Sequence, residues 1–516
     1  MAIGTDDTQP LLRSVTNEGH HQVYTNPVVP QQNASEQDGV SNVSDTIIVD
    51  FDPSGDAENP LEWPTSFKWV VVSILAFMAF TVTMTCISPV PLASEIVRDL
   101  SDSPNPSKSA SVLLVTIWEF GEAAGPLLIA PLSEMFGRYP VMNAANIIFI
   151  GASLMAVTAS SVPQFVLARM LNGLAVAVNV LNPAIVGDMF AKDERGGPMS
   201  MLFLSPLVGG AFGPMIGSAV AHRYGWRTVV WMTIVIASSC ELLFLCCFRE
   251  TYKVAILRRR VRRLARNAAG SGKTFKTAFD QEDGVSEWEK LRDSMLRPAI
   301  VLWSSGVLMA ASLFSSVVFT FFYIYSTSFA DILTEIYHIS PVVVGFCFPS
   351  FSIGSAISVI ICNRTLDRIY VYMRSTHKGV DRPEFRLPLA IVGGIGLPLG
   401  MAAYGWAAQL RLPLVCLLFS VCSIGITLML GTIPVMNYVV DAFGIYSASA
   451  VTGIIVTRCL MSTFLPLTTV PLVDALGYGW GISVLAGFSL LLAPIPILLL
   501  RYGAHWRKVS SYTRDE

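Results

Sequence analysis

The chain has 516 residues, of which 53% are hydrophobic and 14% are charged, and its formal net charge is −2. Soluble domains carry roughly a quarter of charged residues, so this composition excludes an ordinary water-soluble domain. The balanced charge gives no sign of a nucleic-acid partner. The nine cysteines form no CxxC pair and no Cys/His cluster, so we expect reduced thiols, no metal site and no cofactor.

Residues 1–66 are polar and contain no apolar core of signal-peptide length. They are predicted to form a disordered cytoplasmic tail. Asn33 and Asn42 each begin an Asn-x-Ser sequon, which a cytoplasmic location leaves unglycosylated. The stretch from Asp7 to Leu12 resembles an acidic dileucine sorting signal. Whether such a signal sends the protein to a vacuolar or endosomal membrane stays open.

Apolar runs of about 20 residues, the length that crosses a hydrocarbon core of roughly 30 Å, recur along the rest of the chain. They lie at about 68–88, 110–131, 140–160, 163–188, 198–221, 227–248, 298–328, 341–362, 387–408, 412–436, 446–473 and 478–500. Each run is apolar on all faces and about twice the length of a barrel strand. The sequence therefore predicts an all-α membrane protein with twelve transmembrane helices.

The longest polar interruption, at about 249–297, divides these runs six and six. We expect an N-terminal six-helix bundle over 67–248, a basic central loop over 249–297, a C-terminal six-helix bundle over 298–501 and a short tail over 502–516. Two bundles of this kind are typical of transporters built from repeats, whose substrate sites lie near the midplane.

Lysine and arginine concentrate in one set of loops, which includes Arg138, Arg195, the run 258–266 and the C-terminal tail. Because such loops face the cytoplasm, we expect cytoplasmic termini in a multi-pass plasma-membrane protein. Run 258–266 has two interpretations, a surface helix drawn to anionic lipid or a solvated basic loop. The second is favoured.

The loop after the second run contains Gly125, Glu134, Gly137 and Arg138, followed by Tyr139. A carboxylate at a helix end can cap the N-terminus of a neighbouring helix and pair with arginine. These four residues are therefore predicted to form a conformational latch that favours closure of one face. A generic turn with a surface ion pair is the alternative.

The fourth run carries Arg169, Asn172 and Gly173. An arginine within hydrocarbon needs a polar cavity or a partner, and Glu119 and Glu122 of the second run share one helix face. Burial opposes ionisation of a carboxyl group and a nearby cation favours it, so one of these two can exchange a proton near neutral pH. We predict a proton-coupling network of Glu119, Glu122, Arg169 and Asn172. A structural ion pair is the alternative.

The fifth run contains Gly209, Gly213, Pro214 and Gly217. Small residues at a spacing of four let helices approach closely, and an internal proline permits a bend. We therefore predict a closely packed helix with a bend at this motif.

Phe322, Tyr325 and Phe329 lie on one face of the seventh run. An aromatic wall can bind flat apolar or cationic compounds, so these residues are candidates for substrate binding, although packing is the commoner role. Arg458 in the eleventh run is a second intramembrane cation and joins the predicted charge network. It can neutralise an acidic substrate or pair with Glu241 or Asp441, and the sequence does not decide between these.

These stretches resemble motifs of the major facilitator superfamily. The loop around Glu134 resembles G-x-L-x-x-D-x-x-G-R-[KR], with Glu134 at the Asp position and Tyr139 in place of the second basic residue. Arg169 to Gly173 resembles R-x-x-[QN]-G, and the stretch 209–218 resembles the antiporter motif G-x-x-x-G-P-x-x-G-G. Residues 363–370 resemble a degenerate copy of the first motif. Over about 60–510 the chain is similar to fungal twelve-span drug:proton antiporters.

The resemblance implies the major facilitator fold and proton-driven efflux of drugs, toxins or secondary metabolites by alternating access. The expected partners are a small-molecule substrate and the lipid bilayer, with the protein acting as a monomer. A proton-coupled uptake permease for a nutrient or polyamine is the alternative, which the motif in the fifth run disfavours. A non-transporting sensor is less favoured because the central loop is short. An enzyme is not expected, since no nucleophile elbow, phosphate loop or cofactor motif occurs.

Overall fold

A computed structural model describes residues 46–52, 55–101, 107–176, 178–267, 274–277, 279, 287–377, 379–510 and 512–513, with a few side chains inside these ranges left out. Residues Thr46–Glu516 form one compact unit. The two sequons and the dileucine-like stretch lie outside the described residues.

The N-terminal half is a bundle of helices that follow one another closely. They are α1 (Thr65–Ile87), α2 (Ala93–Leu100), α3 (Lys108–Phe136), α4 (Arg138–Val157), α5 (Val162–Leu174), α6 (Val178–Met189), α7 (Gly196–Tyr224) and α8 (Trp226–Cys247). The predicted fourth run is thus two helices, α5 and α6. The predicted fifth run is a single helix, α7, which continues through Pro214.

The connecting segment and the C-terminal half are also mainly helical. They comprise α9 (Lys253–Asn267), α10 (Glu287–Ser304), α11 (Gly306–Asp331), α12 (Pro341–Cys347), α13 (Pro349–Thr376), α14 (Pro388–Gln409), α15 (Leu414–Phe443), α16 (Ser447–Phe464), α17 (Thr469–Leu492) and α18 (Pro494–Arg507). A π-helical turn, Ile332–Ile336, extends α11. Short 3₁₀ turns lie at Pro60–Glu62, Val90–Leu92, Lys192–Glu194, Pro383–Arg386, Gly444–Tyr446 and Leu465–Thr468.

Nine helical stretches of the described residues are long and apolar enough to cross a membrane, and the last of these, Leu414–Arg507, contains α15 to α18. Large apolar side chains such as Ile147, Val235 and Leu242 point outward and are more than half exposed. In water such a surface would be a liability, whereas lipid accepts it. The outer surface therefore fits a bilayer, and the count of twelve spans stays a prediction.

The end of the predicted disordered tail is ordered, which corrects the expectation for residues after 45. Strand β1 (Thr46–Val49) pairs in parallel with β2 (Thr274–Thr277) of the central segment. Arg260 of α9 forms ion pairs with Asp56 at 2.8 Å and Glu58 at 2.9 Å. The basic run 258–266 is thus a helix, α9, and part of its charge is used to hold the segment that precedes α1.

Arg260→Ala is expected to release this segment, because one guanidinium serves both carboxylates. The hydrogen bond from Arg260 lowers the pKa of Asp56 to about 2, so the pair contributes stability above the ordinary pKa of 3.8 and loses it as the pH falls toward 2. Amide hydrogen exchange of residues 46–49 at neutral pH should therefore become faster in the variant. Arg262→Ala removes the same charge from an exposed position and should leave exchange unchanged; equal effects would contradict the docking role.

Candidate functional site

The two halves meet through a hydrogen bond near the middle of α3. Glu119 is 4% exposed, and the hydroxyl of Tyr323 on α11 donates to its Oε1 at 2.7 Å. The second oxygen, Oε2, is buried and has no hydrogen-bond partner among the described residues. A carboxyl group that is half satisfied and lies on the boundary between two bundles can change its bonding when it gains or loses a proton.

Glu122 lies one turn further along α3 and contacts its own half. Trp118 donates its indole N–H to Glu122 Oε2 at 3.1 Å, and the guanidinium of Arg169 lies 4.8 Å from the centre of the Trp118 ring. The two glutamates therefore share a helix, as predicted, but have different partners. Glu119 accepts a hydrogen bond from Tyr323 of the other half.

Arg169 binds the backbone of α1 instead of forming the simple ion pair offered as one interpretation. Its Nη1 donates to the carbonyl of Thr85 at 2.9 Å and its Nη2 donates to that of Cys86 at 2.7 Å. Pro89 has no N–H, so the carbonyl of Thr85 lacks its normal helical donor. Arg169 supplies that donor from α5. The stacked Trp118 ring places this cation beside the glutamates.

Arg169→Lys is expected to reduce stability by about 2 kcal/mol, because one ammonium replaces a planar fork that donates to two carbonyls. Thermal unfolding in detergent would measure the loss. Adding Pro89→Ala restores an N–H to the helix and should recover part of it. If the double variant is no more stable than Arg169→Lys alone, the missing donor at Pro89 does not explain the position of Arg169.

The remaining residues of the motif in α5 shape its packing. The hydroxyl of Ser153 donates to Oδ1 of the buried Asn172 at 3.3 Å, which joins α4 to α5. A methyl group at Gly173 would lie 2.0 Å from the carbonyl oxygen of Trp118. Asn172 and Gly173 therefore set the distance between α5 and the helix that carries both glutamates.

Carboxylates other than Glu134 contact Arg138 at the predicted latch, whose conformational role stays a prediction. Glu250, which follows α8, accepts from the backbone N–H of Arg138 at 2.9 Å and so caps α4. Asp188 at the end of α6 pairs with the Arg138 side chain at 3.5 Å. Glu134 itself is exposed. Glu250 and Asp188 were not among the residues predicted for the latch.

Two glycines of the predicted latch differ in what they do. Gly137 has a φ of +100°, and a methyl group there would lie 2.3 Å from Glu250 Oε2. A side chain at this position would both strain the backbone and displace the cap. At Gly125 the nearest atom to an added methyl would be 3.7 Å away, an ordinary contact. The structure therefore requires glycine at Gly137 and tolerates alanine at Gly125.

The C-terminal half has a similar arrangement at the corresponding place. Arg386, which precedes α14, pairs with Asp367 of α13 at 3.1 Å and with Asp441 of α15. Arg507 at the end of α18 donates to Glu384 at 2.8 Å. Asp367 belongs to the degenerate copy of the first motif that the sequence predicts in this loop. The copy therefore resembles the first motif in its ion pairs as well as in its sequence.

The motif in α7 packs against α1 of the same half. A methyl group at Gly209 would lie 2.7 Å from the carbonyl oxygen of Phe80, and one at Gly217 would lie 2.7 Å from that of Ser88. Gly213 is less tight, at 3.3 Å from the carbonyl oxygen of Met84. The spacing of four therefore forms a seam along α1, as the small residues indicated.

The aromatic candidates lie mainly inside the C-terminal half. Tyr325 and Phe329 are 1% and 0% exposed, and Tyr325 stacks on Phe351 with ring centres 5.1 Å apart. Phe322 is only partly buried and lies edge-on to Tyr323 at 5.0 Å. In this conformation Phe322, through Tyr323, is therefore nearer to the boundary between the halves than the other two.

Arg458 on α16 lies 4.2 Å from the centre of the Phe319 ring. Of the partners left open for it, Asp441 pairs with Arg386 and Glu241 accepts from Asn146.

Tyr323, the residue that joins the halves, was not among the predicted site residues. It lies one position after Phe322, on the neighbouring face of α11, and only its hydroxyl could have suggested a polar partner.

Further contacts close the halves on the face opposite the described start of α1. The hydroxyl of Thr116 donates to the carbonyl of Thr463 at 2.9 Å, and that of Ser94 donates to Asp331 at 3.1 Å. Lys108 pairs with Glu335 at 3.4 Å. Glu119 lies deeper along α3 than this closed layer, which suits a group that senses whether the layer is open.

Comparison with known proteins places this geometry in context. The model of the Major Facilitator Superfamily matches residues 70–466. The MFS-type transporter atr4 of Stereocaulon alpinum is 31% identical over 482 residues, which cover 93% of this chain and 85% of that protein. The efflux pump radE of Floropilus chiversii is 29% identical and covers 90% of this chain and 85% of that protein. A D-xylose–proton symporter of known structure has a TM-score of 0.63 at 16% identity, covering 87% of this chain and 99% of that one.

These matches confirm the predicted fold class, and the relatives are transporters rather than enzymes, as predicted. The match to the symporter shows the fold alone, because its sequence identity is low. The fungal relatives also support the resemblance from which the efflux prediction came.

Proposed function

This chain belongs to the Major Facilitator Superfamily, and we propose that it is a proton-coupled exporter of small organic molecules that works by alternating access. It is a multi-pass membrane transporter of the fungal MFS type. Drugs, toxins or the secondary metabolites of the producing cell are the proposed cargo. The motifs serve the transport cycle and do not identify the compound.

The hydrogen bond between Glu119 and Tyr323 carries the proposal of proton coupling. When Glu119 is ionised, its oxygen is a strong acceptor for the Tyr323 hydroxyl, which holds the halves together. When it is protonated, the bond becomes one between neutral groups and weakens. A proton at Glu119 therefore loosens the closed face, and loss of that proton restores it.

Glu122 and Arg169 assist in this proposal, and Arg458 supplies the facing cation from the C-terminal half. Phe322 and Phe319 would offer apolar surface to the cargo near the boundary. Tyr325 and Phe329 would support that surface from behind, since both are buried in the packed aromatic cluster.

The direction of transport is proposed from two observations. One relative is named an efflux pump, and α7 carries the glycine seam that resembles the antiporter motif. We place the protein in the plasma membrane as a monomer, with both termini in the cytoplasm, so that the closed face lies outside. Location in a vacuolar or endosomal membrane is the less favoured alternative.

Everted plasma-membrane vesicles test this proposal without knowledge of the cargo. Vesicles with and without the protein are incubated with the extracted small-molecule metabolites of the producing cells and analysed by mass spectrometry. At least one compound should accumulate only with the protein, and a protonophore should abolish the accumulation. Accumulation that survives the protonophore would refute proton-driven export.

A further inference from the structure

A small cavity lies inside the N-terminal half, apart from the Glu119 site. It is a half-open cavity lined by residues of α1, α4 and α8 and by Ala175, which follows α5, and its volume is about 20 Å³. A cavity needs roughly 10–15 Å³ to hold one water molecule. Its polar lining consists of Thr81, Asn146, Cys240 and Glu241, so it has room and partners for a water.

Glu241 is the acidic group of this cavity and is only 6% exposed. The side-chain amide of Asn146 donates to its Oε2 at 2.6 Å. Its other oxygen, Oε1, is buried and has no hydrogen-bond partner in the described part of the chain. Glu241 lies six residues before the end of α8, or about 9 Å along the helix axis. It is therefore inside the apolar span and not at its edge.

The groups that face Glu241 from each neighbouring helix do not balance a negative charge. Thr81 comes from α1, Asn146 from α4, Cys240 from α8 itself and Ala175 from the stretch after α5. Cys240 is the only other titratable group in this lining, and none of the lining residues is cationic. An ionised carboxylate without a cation in an apolar environment is very costly, and such a group usually neutralises itself.

A metal cation would be another way to neutralise the charge, but the cavity offers too few ligands for one. Hard cations such as Ca²⁺ and Mg²⁺ take six or more oxygen ligands. Thr81, Asn146 and Glu241 are the oxygen-bearing side chains of the lining, and the Thr81 hydroxyl already donates to the carbonyl of Phe77 at 2.8 Å. A proton requires only one oxygen and an acceptor, which a single water supplies.

We propose that Glu241 is a second proton-binding carboxyl group, protonated at neutral pH and distinct from Glu119 and Glu122. The proton on Oε1 is donated to a water in the cavity, and its release leaves a carboxylate and a hydronium ion. The Asn146 amide holds Oε2 in place through both states, because it can donate to either form of the group.

The position of the cavity connects this site to the transport cycle. Phe149 forms one wall of the cavity and packs edge-on against Trp118 with ring centres 6.0 Å apart. Trp118 in turn donates to Glu122. Two packed rings, Phe149 and Trp118, therefore connect the two acidic sites, and movement of Trp118 would change the cavity around Glu241.

Infrared difference spectroscopy of the purified protein tests this assignment without a substrate. Wild type at about pH 7 should show a carboxylic-acid C=O band that is lost in Glu241→Gln, because protonated carboxyl groups absorb separately from carboxylates. Glu134→Gln is the matched control, since it makes the same change at a glutamate whose side chain is exposed. Identical carboxylic-acid bands in wild type and Glu241→Gln would overturn the proposal.

Two further measurements keep the test decisive. If Glu241→Gln does not fold, Glu241→Asp retains an acid that is one methylene shorter and should shift the same band instead of removing it; an unshifted band would overturn the proposal. Addition of NaCl or KCl at constant pH should leave the band unchanged, whereas its loss would identify a metal-cation site. Because no transport is measured, failure here is separate from failure of the export proposal.

Discussion

Glu119→Gln is expected to abolish uphill transport while leaving the protein folded and able to exchange cargo at equilibrium. Glutamine has nearly the same shape, and its amide oxygen can still accept from Tyr323, but it cannot bind or release a proton at any accessible pH. The link between the halves should therefore persist without responding to the proton gradient. In proteoliposomes, accumulation against a concentration gradient should disappear, and the pH dependence of exchange should flatten.

Two variants separate this effect from simple damage at the boundary. Tyr323→Phe removes the donor and leaves the carboxyl group, so Glu119 can still bind a proton, but coupling should weaken because its charge no longer sets the strength of the link between the halves; we also expect a stability loss of about 1–3 kcal/mol for an unsatisfied buried acceptor. Glu122→Gln should reduce the coupling without abolishing it, because Glu122 accepts from Trp118 of its own half, whereas Glu119 accepts from Tyr323 of the other half. If Glu122→Gln abolishes uphill transport and Glu119→Gln does not, the coupled proton is carried by Glu122 instead of Glu119, which would contradict the proposal.

Gly173→Ala is expected to reduce the stability of the protein strongly. The new carbon would lie 2.0 Å from the backbone oxygen of Trp118 and 3.1 Å from the backbone nitrogen of Glu122. No change of rotamer relieves a clash with backbone, so α5 must move away from α3. We expect a loss of at least about 3 kcal/mol, the upper end for overpacked cores, measured as thermal unfolding in detergent and as yield of monodisperse protein.

Gly151→Ala is the matched control, since Gly151 is exposed on α4 and nothing lies within 4 Å of an added methyl. Alanine there should be neutral or slightly stabilising through its helix propensity. Gly354→Ala tests the same packing in the other half, where the methyl would lie 2.0 Å from the carbonyl oxygen of Cys422. Equal stability of Gly173→Ala and Gly151→Ala would show that α3 and α5 are not in fixed contact.

Much of the fold was predictable because membrane helices leave a strong local pattern. Apolar runs of the right length mark the helices, and the glycine motif of the fifth run indicates a closely packed helix, α7, which packs against α1. The end of the tail was mispredicted because residues 46–49 have no local reason to be ordered. Their order comes from β2 and α9, more than 200 positions away in sequence.

The site was predictable only in part, for the same physical reason. The pattern identified Glu119 and Arg169 because charges within hydrocarbon are rare. It did not identify Tyr323, which is 204 positions from Glu119, nor the capping role of Glu250 at Arg138. A hydrogen bond between two bundles produces no periodic pattern in the sequence of either helix. Glu134 was predicted to belong to the latch because it occupies the acidic position of the motif. In the structure, Glu250 and Asp188 make the contacts with Arg138 instead.

Proton movement driven by cargo tests the central claim most directly. Purified protein is placed in sealed proteoliposomes with a pH-sensitive dye inside, and a downhill gradient of a cargo identified by the vesicle experiment is imposed. The account predicts that protons move opposite to the cargo and that Glu119→Gln abolishes this movement. Protons that move with the cargo would indicate an uptake symporter, and cargo flux without proton movement would contradict coupling at Glu119 altogether.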